Sequence, residues 1–447
     1  MSGALAGAAT LYVRDGASGA ANGANWTDAY DEISSAETAA ARGDTIYVAD
    51  GTYNAVTFNV AVSGTTLITV KKATASDHGT ETGWNSTYGD GVATITNSVT
   101  VGSSYWLFDG QVGGGPGGWE TGHGFKLDLT PGVDGILTSF GSGVGNITFS
   151  HWDIDGNASS GPPYATGIYN VSQGTNWNFN NCYIHDWPGD MIQQRGLSHV
   201  TWESNKLARN FQDATRHGDM IENDGASTNH VFRYNFVEDC VGTYLLGHHN
   251  TGVFDGYKIY GNIFYWSGSY VGASGGNGMI GTLTSGTDGI KNLSFHQNTI
   301  FNLMNGGPGN ASLSPHISST MVASNNIIHF KSGDTNSTTF IYGTNVTHGY
   351  NWHINRTVSG DNAINSSGDP FVASGSLNFQ LTTNSIAGAT LGSPFTVDMV
   401  NTNFNVSGTW TRGSLAFSGA GGGGGGGGSP TITARPITGR KVGRKSR

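Results

Sequence analysis

This chain has little of what most folds are built from. Of its 447 residues only 12% are charged and only 11 are proline. Two cysteines, Cys182 and Cys240, cannot make a disulfide framework; they fall at different places in the repeat described below and read as buried thiols. No run approaches the roughly 18 apolar residues of a membrane-spanning helix. The opening, MSGALAGAATLYVRDG, lacks the basic segment and long apolar stretch of a secretory leader. Nowhere do apolar residues keep helical spacing over the length a helix needs, which excludes helical bundles and helical repeats. The glycine-rich GGGPGG at 113–118 has no Lys-Ser/Thr after it and no helix to follow, so it is not a phosphate loop.

What is present is glycine, with 71 residues, and short apolar runs broken by Gly, Asn and Asp: TIYVAD, TLITVKKA, YWLFDG, NITFSHWDI, YKIYGNIFYW. Such runs, β-branched or aromatic and bounded by turn residues, read as strands. They also repeat. Asn205, Asn235, Asn262, Asn298 and Asn326 each follow an apolar residue by three positions (Trp202, Phe232, Ile259, Phe295, Ala323). Each precedes another by two (Leu207, Val237, Phe264, Ile300, Ile328). Phe179 and Ile184 fit the same frame with Cys182 in the asparagine slot, and the steps between slots are 23, 30, 27, 36 and 28 residues. A period in this range made of short strands predicts an all-β solenoid whose coils pair in parallel and point their apolar columns inward. Asparagine suits a bend between strands because it tolerates the left-handed backbone and its amide can bond the asparagine of the next coil. Trp202 falls in an inward column and is expected in the core.

On these features the chain resembles the right-handed parallel β-helix proteins of the pectate-lyase-like superfamily. The opening from Tyr12 to Tyr53 resembles the segment in which a short capping helix precedes the first coil, and Gly368 to Phe395 resembles their closing segment. The resemblance implies a single-stranded β-helix over 11–417, a disordered stretch at 1–10, and a flexible tail at 418–447. It specifies fold more than function, because lyases, hydrolases, tailspikes, adhesins and inert scaffolds share it.

The tail begins with eight glycines, Gly421 to Gly428, a flexible tether. It ends with Arg435, Arg440, Lys441, Arg444, Lys445 and Arg447 and no acid. Taking these six from the 21 Lys and Arg leaves 15 against 31 Asp and Glu, so the body is strongly acidic. An acidic body disfavours nucleic acid, while the basic tail could dock to other virion or surface proteins. With no leader and no span, the expected location is extracellular or on a virion, and likeness to β-helix appendages implies a homotrimer.

Polar residues concentrate between 186 and 250. The tetrapeptide GDMI occurs at 189–192 and again at 218–221, one coil apart. If the copies stack, Asp190 meets Asp219, Gln193 meets Glu222 and Arg195 meets Asp224. His248 and His249 then reach the same edge in the next coil, beside Arg216 and His217. Three chemistries could use this face. A lyase for uronic-acid polymers needs a cation for the sugar carboxylate, which calcium on Asp219, Glu222 and Asp224 would supply, and a base. A glycosidase needs two carboxylates about 5 to 9.5 Å apart, for which Asp190, Asp219 and Glu222 are candidates, with His248 as a proton carrier. A binding site needs only planar hydrogen-bonding groups such as Arg195, Arg216, His217 and His249, with Trp187, Tyr265 and Trp266 at strand ends as stacking platforms.

Residues 220–264 look like the central coils of alginate and chondroitin lyases with this fold. Glu222 matches their glutamate. The lysine base would fall at Ala226 or Ser227, and Gly247 stands where their arginine belongs. Two of the residues that define that reaction are absent, and the paired aspartates and Gly-His-Gly of the hydrolase branch are not found. The expected function is therefore a surface or virion-associated protein that recognises polysaccharide. A secreted lyase or hydrolase acting on the 186–250 face, or a scaffold that binds no sugar, are the alternatives.

Overall fold

The computed structural model describes residues 7–417 apart from 131–132, 140, 158–165, 188, 211–217, 241–243, 250–251, 269–277, 283–288, 304–319, 334–340, 342–344, 359–361, 384–386 and 407. It is a parallel β-helix. Among the described residues three sheets, A, B and C, hold 15, 12 and 8 strands, and every ladder within them is parallel. From Thr45 to Thr282 the coils cross A, then B, then C; among the described residues the later coils cross A and B. One such coil is Ser198–Glu203, Lys206–Asn210 and Ile221–Asp224. Strand-to-strand crossovers of this kind wind right-handed.

Period-two alternation sorts the side chains. In Phe125–Asp128, Phe125 and Leu127 are buried while Lys126 and Asp128 face out, and the same alternation aligns coil after coil. Trp106, Phe108, Phe149, Trp177, Phe179 and Trp202 stack down the axis, with Phe179 and Trp202 at 4.1 Å between ring centroids. Trp202 is core, as the column placed it. The helix Ile33–Ala39 presses Ile33 and Ala36 into the first coils, which closes one end of the core.

The asparagine column lies at the bend from sheet A to sheet B. Asn205, Asn235, Asn262, Asn298 and Asn326 are fully buried. Each Oδ1 accepts from the backbone N–H of the slot one coil earlier: Cys182 to Asn205, Asn205 to Asn235, Asn235 to Asn262, Asn262 to Asn298 and Asn298 to Asn326, at 2.9–3.1 Å. Each Nδ2 donates to the carbonyl of the leading residue one coil earlier, as Asn262 does to Phe232. The side-chain amide of each ladder asparagine is thereby paired within a dry bend. The column is longer than its sequence pattern. Asn351 continues it, accepting from Asn326 and donating to Ala323; its flanking positions are His348 and His353, so no apolar frame marked it. At the other end Cys182 Sγ and Trp152 Nε1 approach the equivalent carbonyls of Phe149 and Phe108.

One expectation is corrected here. The left-handed residue of the bend is not the asparagine but its predecessor: Asn181, Ser204, Tyr234, Gly261, Gln297, Asn325 and Tyr350 all have φ between 53° and 67°. The ladder asparagine is kept for its amide, not for its backbone tolerance.

The segment after 368 does not simply end the solenoid. It folds back over the outer faces of the late coils. Phe379 packs on Tyr265 and Phe301, Phe395 on Tyr260 and His296, and the Tyr234 hydroxyl donates to the Val397 carbonyl. Cys182 and Cys240 are buried free thiols. The tail at 418–447 lies outside the described residues.

Candidate functional site

The stacking expected from the repeated GDMI is found. Sheet C pairs Gln193 with Glu222 and Arg195 with Asp224, and then Glu222 with Gly247 and Asp224 with His249. Ile192, Ile221 and Leu246 point into the core, so alternation turns Gln193, Arg195, Glu222 and Asp224 to the outer side of the sheet, where Gln193 is half-buried and Glu222 and Asp224 are buried. The Gln193 amide reaches both carboxylates, with Nε2 3.1 Å from Glu222 and 3.4 Å from Asp224. One neutral donor thus ties two acids of the next coil together. Asp190 and Asp219 sit at the bend just before these strands, both buried, with the Asp219 N–H donating to Asp190 at 2.8 Å. Arg195 is exposed.

The same alternation moves one predicted catalytic residue away from that face. His248 pairs with Asn223, an inward position, and its Nε2 donates to the Gly252 carbonyl at 2.8 Å. It extends a polar column inside the solenoid that includes Asn170, Gln194 and Asn223, with Gln194 bonded to Asn223 at 2.7 Å. His249 keeps the outer register beside Asp224; its side chain, like Arg216 and His217 altogether, lies outside what the structure describes.

The expected aromatic platforms are placed differently. Trp187 is fully buried, wedged against the backbone of Gly156 and Gly167. Trp266 is also buried and donates to the Cys240 carbonyl. Tyr265 is half-buried on sheet B beneath Phe301 and Phe379. None of the three presents an open ring to the sheet C face. Each stands at a strand end, where sequence alone cannot show what later chain covers it.

A second polar cluster, absent from the expectations, occupies the outer face of sheet B. It gathers Lys126, Asp153, Asp155, Tyr183, His185, Asp186 and Arg209 from four successive coils. His185 is held between Asp153 (2.9 Å) and Asp186 (2.6 Å), so both ring nitrogens face carboxylates. Burial opposes its charge, but those two hydrogen bonds outweigh burial and lift its pKa to about 9. Arg209 clamps Asp186 through two nitrogens at 2.7 and 2.8 Å and reaches the Tyr183 hydroxyl. Against the cost of burial, Arg209 and His185 hold the Asp186 carboxyl far below the usual range. Lys126 bridges to Asp155 at 3.2 Å. Further along, Lys206 is buried between Glu120 and Glu238.

Asp155, His185 and Asp186 place ligand atoms within 4.8 Å of one another, a spacing that could hold a metal ion. Arg209 and Lys126 already neutralise two of the three, and a proton is shared by the third. The cluster therefore reads as a self-compensated ion network. It was legible in principle, since Asp153, Tyr183 and Lys206 each follow a ladder slot by one residue, while Asp155 and His185 follow by three. With Trp152 in the first slot, that register was not apparent.

No family model and no curated protein matches this sequence. Solved structures do. Pectate lyase Pel9A aligns over 92% of this chain and 97% of its own, at 15% identity and a TM-score of 0.52. XylC in complex with xylose aligns over 91% and 98% at 10% identity with a TM-score of 0.45, and the PL6 family alginate lyase AlyGC over 81% and 53% at 14% with 0.36. The likeness to Pel9A shows the fold: this chain is a right-handed parallel β-helix.

Proposed function

We propose that this chain recognises polysaccharide along the outer face of sheet C. The observation that carries the reading is the register there. Gln193, Arg195, Glu222 and Asp224 come from two stacked coils and form a row of donors and acceptors along the solenoid axis. A row that follows the axis suits an extended polymer, and the planar amide, guanidinium and carboxylates are the groups that fix sugar hydroxyls. The shared fold with a pectate lyase is consistent with this and adds no residue-level support.

A second reading rests on one feature. Glu222 and Asp224 flank a single amide, and such a pair of carboxylates could carry acid–base chemistry in a hydrolase, or bind a cation in a lyase. The missing lysine base and arginine weigh against the lyase. Binding to a panel of neutral and anionic polysaccharides, measured beside reducing-end release and the ultraviolet absorbance of unsaturated products, separates the two. Binding without product, lost in Glu222→Gln and Asp224→Asn, supports recognition. Product formation that disappears in those variants overturns it in favour of catalysis.

A further inference from the structure

Resting on the sheet C reading above, we infer that the polysaccharide held there is a neutral one and that Tyr169 is the aromatic platform on which one of its rings stacks. Tyr169 belongs to the strand Ile168–Asn170, one coil before Gln193. Ile168 and Asn170 are buried on the inner side, so alternation turns Tyr169 outward. In register it lies beside Gln193, and Gln193 lies beside Glu222. Neighbouring strands stand about 4.8 Å apart, so the backbone of Tyr169 is about 5 Å from that of Gln193 and about 10 Å from that of Glu222 along the axis. The sheet C face thus has an aromatic residue of its own, in the row of groups already assigned to the ligand.

Tyr169 is half-buried, and among the described residues its hydroxyl has no hydrogen-bond partner and its ring no aromatic or cationic neighbour. The outward tyrosines of the other two sheets are all engaged. Tyr47 donates to Asp77, Tyr183 and Tyr260 accept from Arg209 and Arg233, and Tyr265 packs on Phe379. The coils before Tyr169 extend its surface. Leu137 and Thr100 pair down the same column, both half-buried, with Thr57 exposed beyond them. From Thr57 to Glu222 the column reads hydroxyl, hydroxyl, apolar, aromatic, amide, carboxylate. That order matches the two surfaces of a sugar. The C–H face of a pyranose ring covers Leu137 and Tyr169, while its hydroxyls reach the Gln193 amide and the Glu222 carboxylate. No charged side chain stands in the column from Thr57 to Gln193, and Arg195 is in register with Asp224 instead. A uronate carboxylate laid on Leu137 and Tyr169 would lose water without meeting a cation in that column. A neutral ring carries no such cost.

The full chain is titrated by isothermal calorimetry with cellohexaose, xylohexaose and mannohexaose, and with hexagalacturonate and hexamannuronate. At least one neutral hexamer should bind, and more tightly than either anionic one. Tyr169→Thr should weaken that binding about tenfold, the order expected for one lost stacking contact. Threonine already fills this column at Thr57 and Thr100, so the substitution suits the strand. Tyr169→Phe, which keeps the ring and drops the hydroxyl, should restore binding to within about threefold of the parent. Circular dichroism checks folding; should Tyr169→Thr not fold, Tyr169→Leu, the residue type of the neighbouring Leu137, removes the ring instead. If no hexamer binds, or if binding survives Glu222→Gln/Asp224→Asn, the sheet C reading falls and this inference with it. If binding is lost in that double variant but unchanged in Tyr169→Thr, or if an anionic hexamer is preferred, this inference alone is overturned.

Discussion

Sheets B and C each gather acidic and basic residues on their outer faces from stacked coils, yet they use them differently. On sheet B, Asp186 meets Arg209, Asp155 meets Lys126, Asp153 meets His185, and Glu120 and Glu238 share Lys206. On sheet C, Glu222 and Asp224 take up a neutral amide from Gln193. On sheet B these carboxylates face cations, whereas the Gln193 amide bridges two buried acids without adding a charge. Residue type alone does not separate the two arrangements; the partners supplied by neighbouring coils do.

The ladder that sets coil register underlies both faces, and breaking it should have the largest effect. Asn262→Ala leaves the N–H of Asn235 and the carbonyl of Phe232 buried without partners. A loss of about 3–6 kcal/mol is expected from two or three such groups, read as a lower denaturant midpoint together with loss of glycan binding. Next comes Arg209→Ala, which strands Asp186 beside His185. A cost of about 2–4 kcal/mol is expected, below that of a fully buried pair because both side chains keep some solvent, with glycan binding on sheet C intact. If Arg209→Ala abolished binding and left stability unchanged, the contrast between the sheets would be reversed.

Glu222→Gln should do the opposite, weakening polysaccharide binding about tenfold with a thermal midpoint near that of the parent. The pH dependence sharpens the same contrast. The folded pKa of His185, about 9, lies above its ordinary value of 6.5, so its stabilisation is complete below pH 6.5 and is lost as pH rises through 9. Buried His123, His230, His296 and His353 have pKa values near 4; their contribution is complete above pH 6.5 and is lost as pH falls toward 4. His185→Gln should flatten only the alkaline side of the stability profile. The smallest effect is expected from Cys182→Asn, whose amide would donate to Phe149 where the thiol now sits at 3.7 Å, raising stability by about 1 kcal/mol or less.

Much of the frame was legible because repetition is a one-dimensional signal. An apolar residue three before and two after each asparagine located five bends, and the two GDMI copies located one true stacking of coils. Asn351 escaped because His348 and His353 replaced its apolar flanks. His248 was placed with His249 on the same edge, yet one residue of strand register turns a side chain to the other side. Trp187 and Trp266 read as open because nothing local shows that Gly156 and Gly167 close on one and the late coils on the other.

The sequence by itself determined the solenoid, its asparagine spine and the stretch where polar residues collect, since each follows from spacing along the chain. The tertiary structure decided which polar residues meet and which neutralise one another. Those relations join residues 23 to 86 positions apart, from Asp186 with Arg209 to Glu120 with Lys206. They also depend on a closing segment that lies across coils, where the repeat carries no information. Register along a strand is written locally; what covers a face is fixed only when distant chain returns to it.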